Sequence, residues 1–268
     1  MYNVYVIFKK IELIFPSRSL KENSMYLQIT TKCNMTCEHC AFSCSMRGKH
    51  SDYNTIIDSI AFARNYGEEL ISIGGGEPTI HPRFFDILKN CLQDFDYVWM
   101  ATNGSKTEIM RRLSNIIDGC DYESFECDCE ASDEDSDYWD CNCDHPVIYQ
   151  EDKFSVALST DYFHDPIDAW VHNHWTDRSH AKHGGYEVRD VTKQNDGISG
   201  QGRAKKSGFD GTHCVCSDFI IKPDGKIRMC GCTRSPVIGD VWNGIEKEWE
   251  KKMDDSGGYE GTRCYKDL

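Results

Sequence analysis

No apolar run in the sequence approaches the roughly 18 residues that a membrane-spanning helix needs, so a soluble chain is expected. Basic residues are scarce: 30 Lys and Arg stand against 44 Asp and Glu, a formal net charge of −14. That balance works against binding to polymeric nucleic acid, which depends on cations displacing counterions from phosphates. It leaves a nucleotide or a basic peptide open as substrate. No self-similarity appears at periods of about 20 to 50 residues, which excludes solenoids and propellers. The first residues have apolar patches, but Lys9 and Lys10 interrupt them and no small-residue cleavage site follows, so no secretory signal is expected.

Cysteine, by contrast, is abundant, with 15 in 268 residues. In a small exported domain such a count would imply a disulfide framework, but this chain is long, the count is odd and no export signal is seen. Reduced, metal-ligating thiols in a cytoplasmic compartment are the better reading. A chain of 268 residues with 39% hydrophobic content can bury one substantial core, as a single α/β barrel-like domain or as a main domain with a small appendage.

Strand and helix patterns alternate along the first half. MYLQIT reads as a strand leading into a cysteine loop, and residues 53–66 (YNTIIDSIAFARNY) carry apolar residues at helical spacing until Gly67 stops them. ELISIGGGEP is a second strand ending in glycines, PRFFDILKNCLQDF a second helix, YVWMATNG a third strand and KTEIMRRLSNIID a third helix. Such alternation predicts a parallel sheet with crossover helices. Residues 153–158 resume the pattern with a strand, IDAWVHNHW reads as a helix and GYEVRDVTK as a weaker strand. Residues 195–212 are glycine-rich and basic, which places a boundary near Gly211. Beyond it, CVCSDFIIKPDGKIRMCGC predicts a β-hairpin turning at Pro223, Asp224 and Gly225.

Three groups of thiols stand out. In QITTKCNMTCEHCAFSC, Cys33, Cys37 and Cys40 have the spacing C-x3-C-x2-C and Cys44 follows. Thiolates favour zinc, copper(I) or iron-sulfur clusters. Four would complete a tetrahedral zinc site, whereas three leave one iron of a [4Fe-4S] cube without a protein ligand and open to chemistry. Cys214, Cys216, Cys230 and Cys232, with Cys264, form a second group; Cys127, Cys129, Cys141 and Cys143 form two C-x-C pairs within 123–144, a stretch holding ten carboxylates and no basic residue. This acidic segment reads as a solvated loop, a zinc site, or both.

The cysteine loop after the first strand, followed by Gly-Gly-Glu after the second, resembles the radical S-adenosylmethionine (radical SAM) enzymes. The resemblance covers most of the chain, with its specific motifs in the first 104 residues, and implies a partial (β/α)6 TIM-like barrel over 25–210, after an N-terminal segment 1–24 and interrupted by the acidic insertion 120–150. It further implies that Cys33, Cys37 and Cys40 ligate a [4Fe-4S] cluster, and that the open iron binds the amino and carboxylate groups of SAM. Reduction then cleaves SAM to a 5′-deoxyadenosyl radical that removes hydrogen from substrate. His39 takes the place of an aromatic residue near adenine, and Gly75, Gly76 and Glu77 hold the SAM ammonium. Asn103, Ser159 and Asp161 lie at later strand ends as contacts to ribose or substrate, and Arg203 corresponds to a basic residue meeting the SAM carboxylate. The C-x10-G-x4-C pattern from Cys214 to Cys230 resembles the start of SPASM and twitch extensions, so 211–268 is expected to hold an auxiliary [4Fe-4S] cluster, with zinc or free thiols as alternatives. Family members with such extensions mostly modify peptides or proteins, which makes a peptide the expected substrate and a small metabolite or nucleotide the alternative; a flavodoxin- or ferredoxin-like electron donor is implied.

Simpler roles compete with these. Cys33, Cys37, Cys40 and Cys44 alone would make a structural zinc site in a non-catalytic binding module, which has no need of Gly75, Gly76 and Glu77. Within the radical SAM reading Cys44 is a packed thiol. Ser159 and Asp161 also suit helix capping, and His164, His172, His174, His180 and His183 are expected on the surface or in polar core positions.

Overall fold

The structure is a computed structural model that describes residues 24–118, 153–193, 197–212 and 219–255. The expected acidic insertion, Cys214, Cys216 and Cys264 lie outside the described residues. Five strands run in parallel order: β1 (Ser24–Thr30), β2 (Leu70–Gly75), β3 (Tyr97–Thr102), β4 (Phe154–Ser159) and β5 (Tyr186–Arg189). Helices α1 (Tyr53–Tyr66), α2 (Phe84–Asp94), α3 (Thr107–Ile117) and α4 (Ala169–His180) connect them in the expected alternation.

Local sequence explains these elements. In α1 the Asp52 side chain accepts from the Asn54 amide at 2.9 Å as N-cap, and Gly67 ends the helix in the left-handed region at φ 93°. Buried residues recur at three- and four-residue steps: Ile56, Ser59, Ile60 and Ala63 in α1, Phe84, Ile87, Leu88 and Cys91 in α2, Met110, Leu113, Ser114 and Ile117 in α3. These stripes pack with the strand residues Met25, Leu27, Ile29, Ile71, Ile73, Val98, Met100 and Val156 in one core. The opposite, concave face of the sheet is different: it carries Tyr26, Gln28, Ser72, Trp99, Ser155 and Glu187, and it is the face on which chemistry can be housed.

The sixth parallel strand is not inside 25–210. It is β6 (Phe219–Ile221), fully buried, paired with β1 through Met25↔Phe219, Tyr26↔Ile220 and Leu27↔Ile221. Continuing from it, β7 (Lys226–Arg228), β8 (Val237–Asp240) and β9 (Gly244–Ile245) add antiparallel strands, so the order is β5-β4-β3-β2-β1-β6-β7-β8-β9 in one open nine-stranded sheet. The boundary expected near Gly211 is therefore not a break in the sheet. An all-apolar Phe-Ile-Ile segment with both faces buried fits the edge of a parallel sheet better than a two-stranded hairpin standing alone. The hairpin turn itself is as expected: Lys222 N donates to Lys226 O at 2.8 Å and Gly225 N to Lys222 O at 2.9 Å. Two short helices complete the described chain, α5 (Gly202–Lys206) and α6 (Lys247–Asp255). No helix among the described residues is long and apolar enough to cross a membrane.

Candidate metal and cofactor site

The loop leaving β1 is stitched to its surroundings by backbone hydrogen bonds. Cys33 N donates to Ser45 O at 3.0 Å, Ser51 N to Ile29 O at 2.9 Å and Cys40 N to Cys37 O at 3.2 Å. The end of β2 leans on the same loop: Gly76 N donates to Thr30 O at 2.8 Å and Glu77 N to Lys32 O at 3.0 Å. A Cβ on Gly75 would stand 2.1 Å from Thr30 O, and one on Gly76 2.1 Å from Lys32 O. These glycines therefore permit backbone to meet backbone at the end of β2.

One cleft gathers most of the expected residues: Cys33, Cys37, Cys40, His39, Gly75, Gly76, Glu77, Asn103, Ser159 and Arg203 line it together. Asp161 lies just behind, buried under the His39 and His164 rings, with its Oδ1 4.0 Å from His39 Nδ1. Burial pushes the Cys33 thiol up to about 11 against the opposing Met35 N–H bond, and a bound cation would stabilise its thiolate. Cys44 also reaches the cleft, 3% exposed, and its thiol lies 3.6 Å from Gly75 O. The neighbouring Cys44 lowers the Cys40 pKa, and Cys40 with burial raises that of Cys44, whose thiol donates to Gly75 O.

Glu77 is held by the protein on both carboxylate oxygens. It is 1% exposed, and its carboxylate is occupied by the protein: Oε1 accepts from Thr79 N at 3.1 Å, Thr79 Oγ1 at 2.6 Å and Thr102 Oγ1 at 2.8 Å, and Oε2 accepts from Asn103 N at 2.7 Å. Burial raises its pKa while these four donors oppose the rise. The side chain ties the end of β2 to the end of β3, with Oε1 filled by three donors and one acceptor position remaining on Oε2.

Arg203 is likewise held by the protein. Its Nε donates to Cys37 O at 2.8 Å and its Nη2 to Cys44 O at 2.7 Å, while its backbone N donates to Cys40 O at 3.0 Å. The guanidinium clamps the cysteine loop from α5. Asn103 bridges groups of the protein, with Nδ2 donating to Asn34 Oδ1 at 3.0 Å and standing 4.0 Å from Cys33 Sγ.

Two residues outside the expected site set belong to the cleft: Arg189, which the sequence did not mark, and His164, which was expected on the surface or in a polar core position. Arg189, at the end of β5, is paired in register with Ser159, lines the cleft and has no partner for its guanidinium among the described residues. His164 donates from Nδ1 to Asp161 Oδ1 at 2.8 Å. Burial pulls the His164 pKa down, but hydrogen bonds to Asp161 and Cys37 outweigh it and raise the value to about 10. Burial likewise tends to raise Asp161, and the His164 bond and charge bring it below the usual carboxylate range. His39 is lowered by burial, and its ring lies 4.8 Å from that of Phe163 and 5.2 Å from that of His164. The signal for His164 was its place three residues after Asp161; Arg189 carried none beyond ending a strand.

In the C-terminal part, Cys230 and Cys232 follow β7 at the open end of the hairpin. Their thiols are hydrogen-bonded to one another, and burial raises Cys230 to about 11. Gln201 Nε2 donates to Cys232 Sγ at 3.2 Å, linking this pair to α5 and through Arg203 to the cysteine loop.

A family model of the radical SAM superfamily matches residues 27–142. An S-adenosylmethionine-dependent nucleotide dehydratase from a Thermoplasmatales archaeon is 32% identical over 103 residues, 37% of this chain and 36% of that protein. A tungsten-containing aldehyde ferredoxin oxidoreductase cofactor-modifying protein from Pyrococcus furiosus is 32% identical over 110 residues, 39% of this chain and 30% of that protein. The matches thus span about a third of these relatives' length. The crystal structure of BtrN in complex with AdoMet and 2-DOIA aligns with a TM-score of 0.54 at 13% identity, covering 82% of this chain and 78% of that one, a likeness of fold.

Proposed function

We propose, from the match of residues 27–142 to the radical SAM superfamily, that this is a radical SAM enzyme in which Cys33, Cys37 and Cys40 hold a [4Fe-4S] cluster with one open iron, that SAM binds there, and that the enzyme abstracts hydrogen from a peptide or protein. The observation that carries this reading is that the three thiols converge on one cleft with the carboxyl ends of parallel strands. The donor set fits the group: three soft ligands on a backbone-braced loop, and a fourth thiol, Cys44, turned to hydrogen bonding. When bound, the cluster supplies the electron for reductive cleavage of SAM and so the radical chemistry.

The chain's own residues position and bind. Ser159 and Arg189, neighbours across β4 and β5, suit the SAM carboxylate, since Arg189 carries the guanidinium that is not committed elsewhere. The strand end at Gly75, Gly76 and Glu77 lines the same cleft and is assigned to the ammonium. His39, backed by Phe163, forms an aromatic wall for adenine. Asp161 orients His164 toward Cys37. Arg203 holds the loop's carbonyls and with them the spacing of the thiols. Cys230 and Cys232, with Cys214 and Cys216, are assigned to an auxiliary cluster or zinc, supported by the contact between the first two thiols. The peptide assignment is supported by the net charge of −14, which favours a basic partner.

Protein purified without oxygen should contain iron and sulfide in cluster proportion and, with dithionite and SAM, release 5′-deoxyadenosine. Zinc in place of iron at Cys33, Cys37 and Cys40 would refute the reading and favour a binding module.

A further inference from the structure

We propose that Glu187 anchors a cationic nitrogen of the substrate, a lysine-type ammonium of a peptide, a reading that rests on the function proposed above. A parallel sheet usually has both faces packed with apolar residues. Here the helices cover one face, while the concave face of β3, β4 and β5 carries a hydrogen-bonded polar chain. Tyr97 Oη donates to Ser155 Oγ at 2.7 Å, Ser155 Oγ donates to Glu187 Oε1 at 2.7 Å, and Trp99 Nε1 donates to Glu187 Oε2 at 3.1 Å. The register explains why they meet: Trp99 is paired with Ser155, and Glu187 with Ala157 two residues further along β4.

Each carboxylate oxygen thus has one protein donor and acceptor capacity to spare. Two donors from different strands fix the plane of the group but leave its charge in place. No cation among the described residues pairs with Glu187, although it is exposed on a face that also carries Arg189. Arg189 stands two residues on, toward the cysteine loop, and its charge is answered by the SAM carboxylate in the assignment above. Trp99 lines the cofactor cleft and bonds Glu187, so the carboxylate stands at the margin of the place where a radical would be formed. A substrate nitrogen bound there would bring neighbouring C–H bonds toward that cleft.

The test uses n-butylammonium as probe, with 1-butanol and butyrate as neutral and anionic comparators, followed by saturation-transfer NMR on the full-length protein as purified. Wild-type protein should bind butylammonium in preference to both comparators. Glu187→Gln should weaken that binding roughly five- to tenfold, as expected for losing a charged hydrogen-bond partner at a solvent-accessible site, and Glu187→Lys should reverse the preference toward butyrate. Equal binding of butanol, or wild-type affinity in Glu187→Gln, would overturn the proposal, as would the absence of butylammonium binding. Iron content and 5′-deoxyadenosine release are measured on the same samples. Loss of charge preference with both intact sinks the Glu187 assignment alone, whereas absence of both sinks the radical SAM reading, and the titration still reads the Glu187 site.

Discussion

Replacing Glu77 by glutamine separates a structural from a ligand role for the most buried carboxylate of the site. The carboxylate accepts from two backbone amides, Thr79 N and Asn103 N, and from the hydroxyls of Thr79 and Thr102. Hydroxyls can turn to accept from an amide NH2; backbone N–H groups cannot. If the glutamine oxygen keeps the Oε1 place, its NH2 faces the Asn103 amide; if it flips, the NH2 faces the Thr79 amide. Either way one buried backbone donor is left without an acceptor, which costs about 1–3 kcal/mol, and the remaining bonds lose their charge assistance. A total of about 2–4 kcal/mol lowers the unfolding midpoint by roughly 5–15 °C for a domain of this size. Thermal unfolding followed by circular dichroism, on protein without added SAM, reads this directly. Unchanged stability combined with weaker SAM binding would refute the strand-tie reading and make the carboxylate a cofactor ligand.

The other predictions concern the thiols, the two arginines and a buried histidine. Alanine at Cys33, Cys37 or Cys40 should each remove about one cluster's iron and abolish SAM cleavage, whereas Cys44→Ala should retain iron; equal iron loss at Cys44 would mean a four-thiolate site. Arg189→Met should weaken SAM binding by about 1.5–3 kcal/mol, the range for a charged hydrogen bond, with iron unchanged, while Arg203→Met should speed iron loss to a chelator; interchanged effects would return the anion contact to Arg203. His174 lies between Ser114 Oγ at 2.7 Å and Arg178 Nη1 at 2.9 Å. Burial, then the charges of Arg178 and Arg111, lower its pKa to about 4 from 6.5. The folded state therefore refuses a proton that the unfolded chain accepts, so stability is lost as pH falls from about 6.5 toward 4. His174→Gln should flatten that slope in unfolding midpoints measured across this range, and an unchanged slope would remove His174 as its cause.

The strand and helix alternation from MYLQIT to KTEIMRRLSNIID was legible because each element carries its own period: apolar steps of three and four in α1, α2 and α3, and stop signals such as Gly67. The thiol trio was legible for the same reason, since its spacing is local and its loop hangs from one strand. By itself the sequence thus determined which residues could ligate a cluster and that a parallel sheet would present them. Only the tertiary structure decided how the neighbours are used. Glu77 and Thr102 are 25 residues apart, and Arg203 and Cys37 166, so whether a charged group meets a cofactor or a backbone carbonyl depends on which strands lie side by side. The same holds for Phe219–Ile221, whose pairing with β7 is local but whose parallel pairing with β1 depends on β1 offering it an unpaired side. Hydrogen-bond partners across such separations are chosen by sheet order and burial, because a buried donor or acceptor takes whatever complement the packed neighbours place within reach.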